Sequence, residues 1–254
     1  MIRLFSDVGL ADLRRFVAAD TLFAFDLDGT LAPIVAEPTA ILVSGEVREL
    51  MRRLSKLAVT AVITGRARKD ALAYLGFEPR YLVGNHGAEG MPGRDGEGRE
   101  LFRMVEGWER QLAVLLKPQV QQATLFESKG STLSLHYRHA PDPQAVHAAL
   151  LDAIAKLEPA PRRIGGKFVE NLIPHGAPHK GDALLHLLDC SGCGTAFFIG
   201  DDETDEDVFR LDDPRIFPVC VGLDRPTAAR YALESQEEME ALLRELVAML
   251  ELDG

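Results

Sequence analysis

Thr21-Leu-Phe-Ala-Phe-Asp-Leu-Asp-Gly-Thr-Leu31 decides how the rest of the chain is read. The stretch opens on a continuous apolar run, Thr21 to Phe25, without polar alternation, which predicts a strand buried on both faces. Two carboxylates, Asp26 and Asp28, follow directly, and a chain leaving a strand end can turn both toward one pocket. Gly29 permits the tight turn to the next element. A helix cap needs neither the strand in front nor a second carboxylate. A calcium loop of the EF-hand kind wants its glycine sixth and a glutamate twelfth, whereas the glycine here is fourth. Paired carboxylates with a catalytic task are the better reading.

Working outward, Val59 to Ile63 repeats the buried-strand pattern, and Tyr81 to Val83 is a third short run ending in Gly84. Between them Val47, Leu50, Met51, Leu54 and Leu57 have helical spacing, and Ala67 to Leu75 reads as a second helix. Later, Thr195 to Ile199 and Ile216 to Val221 predict strands, with helices over Lys180 to Leu188 and Met239 to Leu250. Buried strands alternating with helices predict an α/β fold with a doubly wound parallel sheet, a Rossmann-like core. Function then belongs at the carboxyl ends of the strands.

The middle of the chain reads differently. Gly90 to Gly98 is a glycine-rich break, followed by an amphipathic helix carrying Trp108, Leu112, Leu115 and Leu116. Thr124 to Glu127 and Thr132 to Arg138 predict strands. The second sets Leu133, Leu135 and Tyr137 on one face and Ser134, His136 and Arg138 on the other. Pro141-Asp-Pro143 starts a helix to Leu157, and Lys167 to Ile173 is strand-like. This predicts an inserted α+β cap domain over residues 92–172, between core segments 1–91 and 173–254.

Composition bounds the partners. The chain has 254 residues, enough for a core plus an inserted module, and a formal net charge of −11. Such an acidic surface argues against nucleic acid and anionic lipid as partners. There is no apolar run of transmembrane length, and Met1 to Leu13 has no signal-peptide pattern, so a soluble, cytoplasmic protein is expected. Cys190 and Cys193 form a C-x-x-C without a second cysteine pair to complete a zinc set, and they read as two reduced thiols in a turn after a helix.

Three more clusters stand at expected strand or helix ends. Ile63-Thr-Gly-Arg66 offers a hydroxyl and backbone amides where a strand opens onto a helix, an arrangement that suits a phosphate. Lys180-Gly181 starts a helix, where a cation opposes the favourable dipole and matters only in company. Gly200-Asp-Asp-Glu-Thr-Asp-Glu-Asp207 has six acidic residues in eight. These repel one another unless a cation sits among them, and oxygen-only ligation points to magnesium.

In this order, Asp-x-Asp-Gly-Thr-Leu, Thr-Gly-Arg, Lys-Gly and Gly-Asp-Asp-x-Thr-Asp resemble the haloacid dehalogenase-type phosphatase superfamily. Gly84-Asn-His-Gly-Ala-Glu89 and Glu127-Ser-Lys-Gly-x-x-Leu-x-x-His-Tyr-Arg138 further resemble the trehalose-6-phosphate phosphatases within it. The similarity spans about Asp26 to Asp207. It implies a small sugar phosphate as substrate, with Asp26 as the nucleophile that forms an aspartyl-phosphate and Asp28 as general acid and then base. Thr64 and Lys180 would hold the transferring oxygens, with Gly65, Arg66 and His86 near the substrate. Magnesium would be held by Asp26, the backbone carbonyl of Asp28 and Asp201, with Asp202 and Asp205 in support. Glu127, Lys129 and Arg138 would meet the sugar. One position departs from the family pattern. Where these phosphatases carry a glutamate three residues before a proline, this chain has Asn171 before Pro174, with Glu170 one earlier. Either Asn171 replaces that glutamate, or a bulge brings Glu170 round to the same face.

The charge is also localised. Asp201 to Asp213 sums to −7 and Leu233 to Gly254 to −6, whereas residues 92–172 hold eleven basic and ten acidic residues. The acidity therefore argues against a polyanion but leaves room for a single phosphate met by metal and lysine.

Overall fold

The structure, a computed structural model, describes residues 1–34, 42–94, 97–166, 168–223 and 225–252. The chain divides into two compact units, Met1–Gly93 with Pro178–Gly254, and Arg94–Ala177.

The first unit is built on a seven-stranded parallel sheet, counted among the described residues. In chain order its strands are β1 (Ile2–Arg3), β2 (Thr21–Phe25), β3 (Thr60–Ile63) and β4 (Tyr81–Val83), then β9 (Thr195–Gly200), β10 (Ile216–Val221) and β11 (Tyr231–Leu233). Their spatial order is β1-β11-β10-β9-β2-β3-β4, with every pair parallel. All five residues of β2 are buried because both faces are covered. Phe23 and Phe25 look into one apolar layer with α1 (Asp7–Phe16), α2 (Gly45–Leu57) and α9 (Met239–Leu252). Leu22 and Ala24 look into the other, with α7 (Lys180–Ser191) and α8 (Glu206–Phe209). The helix α3 (Arg68–Leu75) precedes β4, contributes Ala71 and Leu75 to the first layer and stops at Gly76 in the left-handed region.

The second unit holds α4 (Glu97–Leu115), α5 (Pro118–Gln122) and α6 (Pro143–Ile154), with strands β5 (Leu125–Ser128), β6 (Leu133–His136), β7 (Arg162–Gly166) and β8 (Val169–Ile173). The strands form an antiparallel sheet in the order β5-β6-β8-β7. Leu133, Leu135, Tyr137 and Leu172 pack from this sheet into a core with Trp108, Leu112 and Leu150, while Leu125 and Ile164 are exposed. The α/β class with an inserted α+β region agrees with the sequence reading.

Some elements differ from the pattern reading. β7 was not expected, because Arg-Arg-Ile-Gly-Gly has no apolar alternation; it is an exposed edge strand held by its pairing with β8. β1 and β11 are too short for a periodic signal. Cys190 lies within the last turn of α7 and not in a following turn, since the helix runs on until Gly192 ends it in the left-handed region. Both it and Cys193 are free thiols. Of the expected strand Lys167 to Ile173, Lys167 lies outside the described residues, as do Asp95 and Gly96 of the glycine-rich break. No described helix is long and apolar enough to cross a membrane.

Candidate active site

The chain leaves β2 toward β3 and β4, then returns on the other side of β2 to build β9, β10 and β11. The carboxyl ends of β2 and β9 therefore flank the topological switch point, where open α/β sheets form their ligand crevice. Asp26 follows β2 and its amide donates to the Ile199 carbonyl of β9 at 2.9 Å. Asp201 follows β9, and Thr64 follows β3 on the other side. Sheet order thus gathers residues that lie 38 and 175 positions from Asp26 in sequence.

Lys180, the first residue of α7, is almost fully buried and is not a solvated helix-start lysine. Its ammonium donates to Asp26 Oδ1 and Asp205 Oδ1, each at 2.8 Å, and lies 3.9 Å from Asp202 Oδ1. The helix start itself is fixed by a reciprocal cap, in which the His179 side chain accepts from the Asp182 amide and the Asp182 carboxylate from the His179 amide. Burial drives the Asp26 carboxyl well above the usual carboxylate range, and Asp205 and Asp202 add to the rise against the pull of Lys180. Burial disfavours the Lys180 ammonium, but Asp26, Asp205 and Asp202 outweigh it and hold the group above the ordinary lysine value.

Asp26, Asp201 and Asp205 each offer a carboxylate oxygen within 4.8 Å of the others. Burial, then the charges of Asp205 and Asp202, push Asp201 up to about 7. Crowded acids whose burial and mutual repulsion disfavour the charged form fit a site completed by a cation. The donors are all oxygen, with no sulfur or imidazole, which suits Mg²⁺. Asp202 stands outside this trio; its carboxylate caps the Glu203–Asp205 turn through the amides of Thr204 and Asp205.

Gly29 is required for this geometry. It has φ +79°, and a β-carbon there would run into the Asp201 carboxylate. Thr30 Oγ1 lies on that carboxylate as well, at 3.5 Å from Oδ1. Gly29→Ala is expected to displace Asp201 and lower kcat by roughly 100-fold, the scale of an ångström-size misplacement at a reacting centre. Steady-state kinetics on the folded variant check this, and wild-type turnover would remove Gly29 from the site.

Asp28 does not join the carboxylate trio. Its two oxygens accept from Arg66 Nη2 at 2.6 Å and Arg66 Nε at 2.7 Å, a bidentate fork, and the guanidinium also lies over the Tyr74 ring at 4.8 Å. Arg66, expected near substrate, thus has Asp28 as its partner. Thr64 is buried, and its hydroxyl accepts from the Arg66 amide at 3.2 Å. His86 packs its ring so close to Gly65 that a side chain at 65 would collide with it, and its amide donates to the Thr64 carbonyl at 3.0 Å.

In the second unit, the register pairs Glu127 with Ser134 and Ser134 with Asn171, so the three lie in one row on one face of the sheet. Glu127 Oε2 is 2.9 Å from His136 Nε2 and 3.7 Å from Lys129 Nζ. Arg138 is exposed and lines an open cleft with His136, His139 and Thr124. The ladder between β6 and β8 is unbroken, so no bulge brings Glu170 round. Asn171 shares the Glu127 face and accepts from Ser134 Oγ at 2.7 Å. Glu170 points the other way, is buried, and lies 2.7 Å from His147 Nε2 and 3.5 Å from Arg163 Nε.

Sequence reasoning missed His136, Ser134 and Arg225. His136 stood within the quoted Glu127–Arg138 motif, and the two-residue alternation places it beside Glu127. Arg225 carries no sequence signal, because its partners Asp201 and Glu206 are reached only through the tertiary fold.

Comparison with known proteins identifies relatives over most of the chain. The family model described as trehalose-phosphatase matches residues 24–237. The chain is 29% identical to a probable trehalose-phosphate phosphatase of Oryza sativa, over 87% of this chain and 68% of that protein. It is 31% identical to a trehalose-phosphate phosphatase of Mycobacterium bovis, over 90% of this chain and 61% of that one. Among solved structures, the C-terminal domain of a trehalose-6-phosphate phosphatase from C. albicans superposes with a TM-score of 0.70 at 22% identity, over 96% of this chain and 97% of that one, and so has the same fold.

Proposed function

The chain belongs to the trehalose-phosphatase family, and from that premise we propose that it hydrolyses trehalose 6-phosphate to trehalose and inorganic phosphate. The observation that carries the reading is the buried Asp26–Lys180 pair set beside Asp201 and Asp205 at the switch point of the sheet.

Asp26 attacks phosphorus, forming an aspartyl-phosphate as the bond from phosphorus to the sugar oxygen breaks, and Asp28 gives its proton to that departing oxygen. Water then attacks the phosphorus, Asp28 takes up its proton, and the bond to Asp26 breaks to release phosphate. The Arg66 fork holds both Asp28 oxygens and so orients this carboxyl for both steps. Lys180 orients Asp26 and keeps a positive charge beside the incoming phosphoryl group, with Thr64 at the next strand end; positioning and charge supply most of the catalysis of phosphoryl transfer. Mg²⁺, when bound through Asp26, Asp201 and the Asp28 backbone, with Asp202 and Asp205 in support, supplies charge neutralisation between two anions. Gly65 and His86 border the phosphate end. The inserted unit is the cap in this reading, and its Glu127, Lys129, Arg138 and Asn171 bind the sugar hydroxyls.

Asn171 favours one further reading, a different sugar phosphate. A neutral amide already engaged by Ser134 is a weaker partner for a sugar hydroxyl than a carboxylate. Phosphate release should be measured on trehalose 6-phosphate, sucrose 6-phosphate, mannosyl-phosphoglycerate and glucose 6-phosphate, with Mg²⁺ and after chelation. The expected result is a kcat/KM for trehalose 6-phosphate roughly 100-fold above that for glucose 6-phosphate, with activity lost on chelation and restored by Mg²⁺. A preference for another sugar would move the substrate assignment, and metal-independent turnover would overturn the magnesium role.

A further inference from the structure

Beyond the residues already assigned, we propose that Arg225 is a positioning residue that fixes the metal-binding loop and selects which oxygen Asp201 presents; this rests on the magnesium-dependent reading above. The parallel ladder between β9 and β10 ends at the pair Gly200 and Cys220, so Asp201 is the first residue that the sheet no longer holds. Arg225, on the loop after β10, takes over there. Its Nε donates to the Asp201 backbone carbonyl at 2.9 Å, and its Nη1 donates to Glu206 Oε1 at 2.8 Å. Its Nη2 lies 3.6 Å from the buried Cys220 sulfur, so the guanidinium spans three partners, on the loop after β9, at the start of α8 and on β10.

Glu206 is buried and is itself held from the far side. Its Oε2 accepts from the Ala228 amide at 2.9 Å, and the Thr227 side chain donates to the same carboxylate, which these bonds and Arg225 keep below the usual range against the effect of burial. Arg225 and Glu206 thus neutralise one another and grip both ends of the segment Asp201–Glu206, which contains Asp205. With its carbonyl turned to Arg225, Asp201 faces Asp26 and Asp205 through its carboxylate. That carboxylate is confined in turn by Gly29 and Thr30. A planar guanidinium can make these bonds at once, whereas the single ammonium of lysine cannot.

The test is Mg²⁺ titration of the metal-free protein by calorimetry, for wild type, Arg225→Lys and Glu206→Gln, alongside kinetics and thermal melts in chelator. The expected result is a Mg²⁺ dissociation constant raised roughly tenfold or more in Arg225→Lys, the usual scale for removing a group that orients a metal ligand. A smaller rise is expected in Glu206→Gln, where the amide keeps one oxygen for Arg225 but loses the charge. At saturating Mg²⁺, KM for the sugar phosphate should stay within twofold of wild type and kcat should recover. A folded Arg225→Lys protein with wild-type Mg²⁺ affinity, whatever its melting temperature, would overturn the proposal and leave a purely structural clamp. A wild type that binds no Mg²⁺ would instead remove the reading on which the proposal rests, and the proposal with it.

Discussion

Asp26→Asn should abolish phosphate release, by at least about 10⁴-fold, while the protein remains folded. Losses of this size follow removal of a nucleophile that no neighbour can replace, and the amide cannot form the acyl-phosphate bond. Stability should respond differently. Asp26 is one of two carboxylates bonded to the Lys180 ammonium, and burial raises it against that cation's pull. The asparagine keeps the shape and one oxygen for the Lys180 ammonium, and Asp205 keeps its own bond to that group at 2.8 Å. Denaturant midpoints in chelator should therefore correspond to a loss of no more than about 1 kcal/mol, the net worth of one ordinary hydrogen bond. Turnover near wild type would end the nucleophile assignment. A collapsed fold would show that Asp26 is structural first.

Lys180→Met should damage both. Activity is expected to fall by roughly 10³-fold, the upper end for removing one preorganised electrostatic contact. The larger consequence lies in the fold. Lys180 is the cation bonded to two buried carboxylates, those of Asp26 and Asp205, and its removal leaves them facing each other without a counter-charge. Breaking a buried pair by deleting one partner costs about 3–5 kcal/mol. The loss should be greatest in chelator and smaller with saturating Mg²⁺, because a bound cation replaces part of the missing charge. Parallel denaturant melts with and without Mg²⁺ measure this, and equal losses in both conditions would separate Lys180 from the metal cluster. Together the two variants form a contrast. One removes chemistry and spares the fold, and the other removes the charge balance on which both depend.

Much of this architecture is legible in the chain itself. An uninterrupted apolar run such as Thr21–Phe25 is compatible only with burial on both faces, and its repetition between amphipathic helices dictates a parallel, doubly wound sheet. Carboxylates placed directly after such strands fall at the carboxyl edge. That is why Asp26, Thr64 and Asp201 could be assembled from sequence order. Elements with short or exposed strands were less legible. β7 has no apolar face, and β1 and β11 contribute too few residues for a period to show; they exist because neighbouring strands offer unpaired backbone groups.

Burial patterns and turn chemistry are local properties of the chain, so the fold class, the strand ends that bear the carboxylates and the residue types available there are legible in the sequence alone. Which side chains meet is set by the packing of the folded chain. It assigned Arg66 to Asp28, buried Lys180 between Asp26 and Asp205, kept Glu170 off the Glu127 face, and placed Arg225 on the Asp201 carbonyl. Such pairings join residues up to 154 positions apart, as with Lys180 and Asp26. Their choice depends on sheet order and strand register, which arise from the packing of the whole domain and leave no trace in any short stretch of sequence.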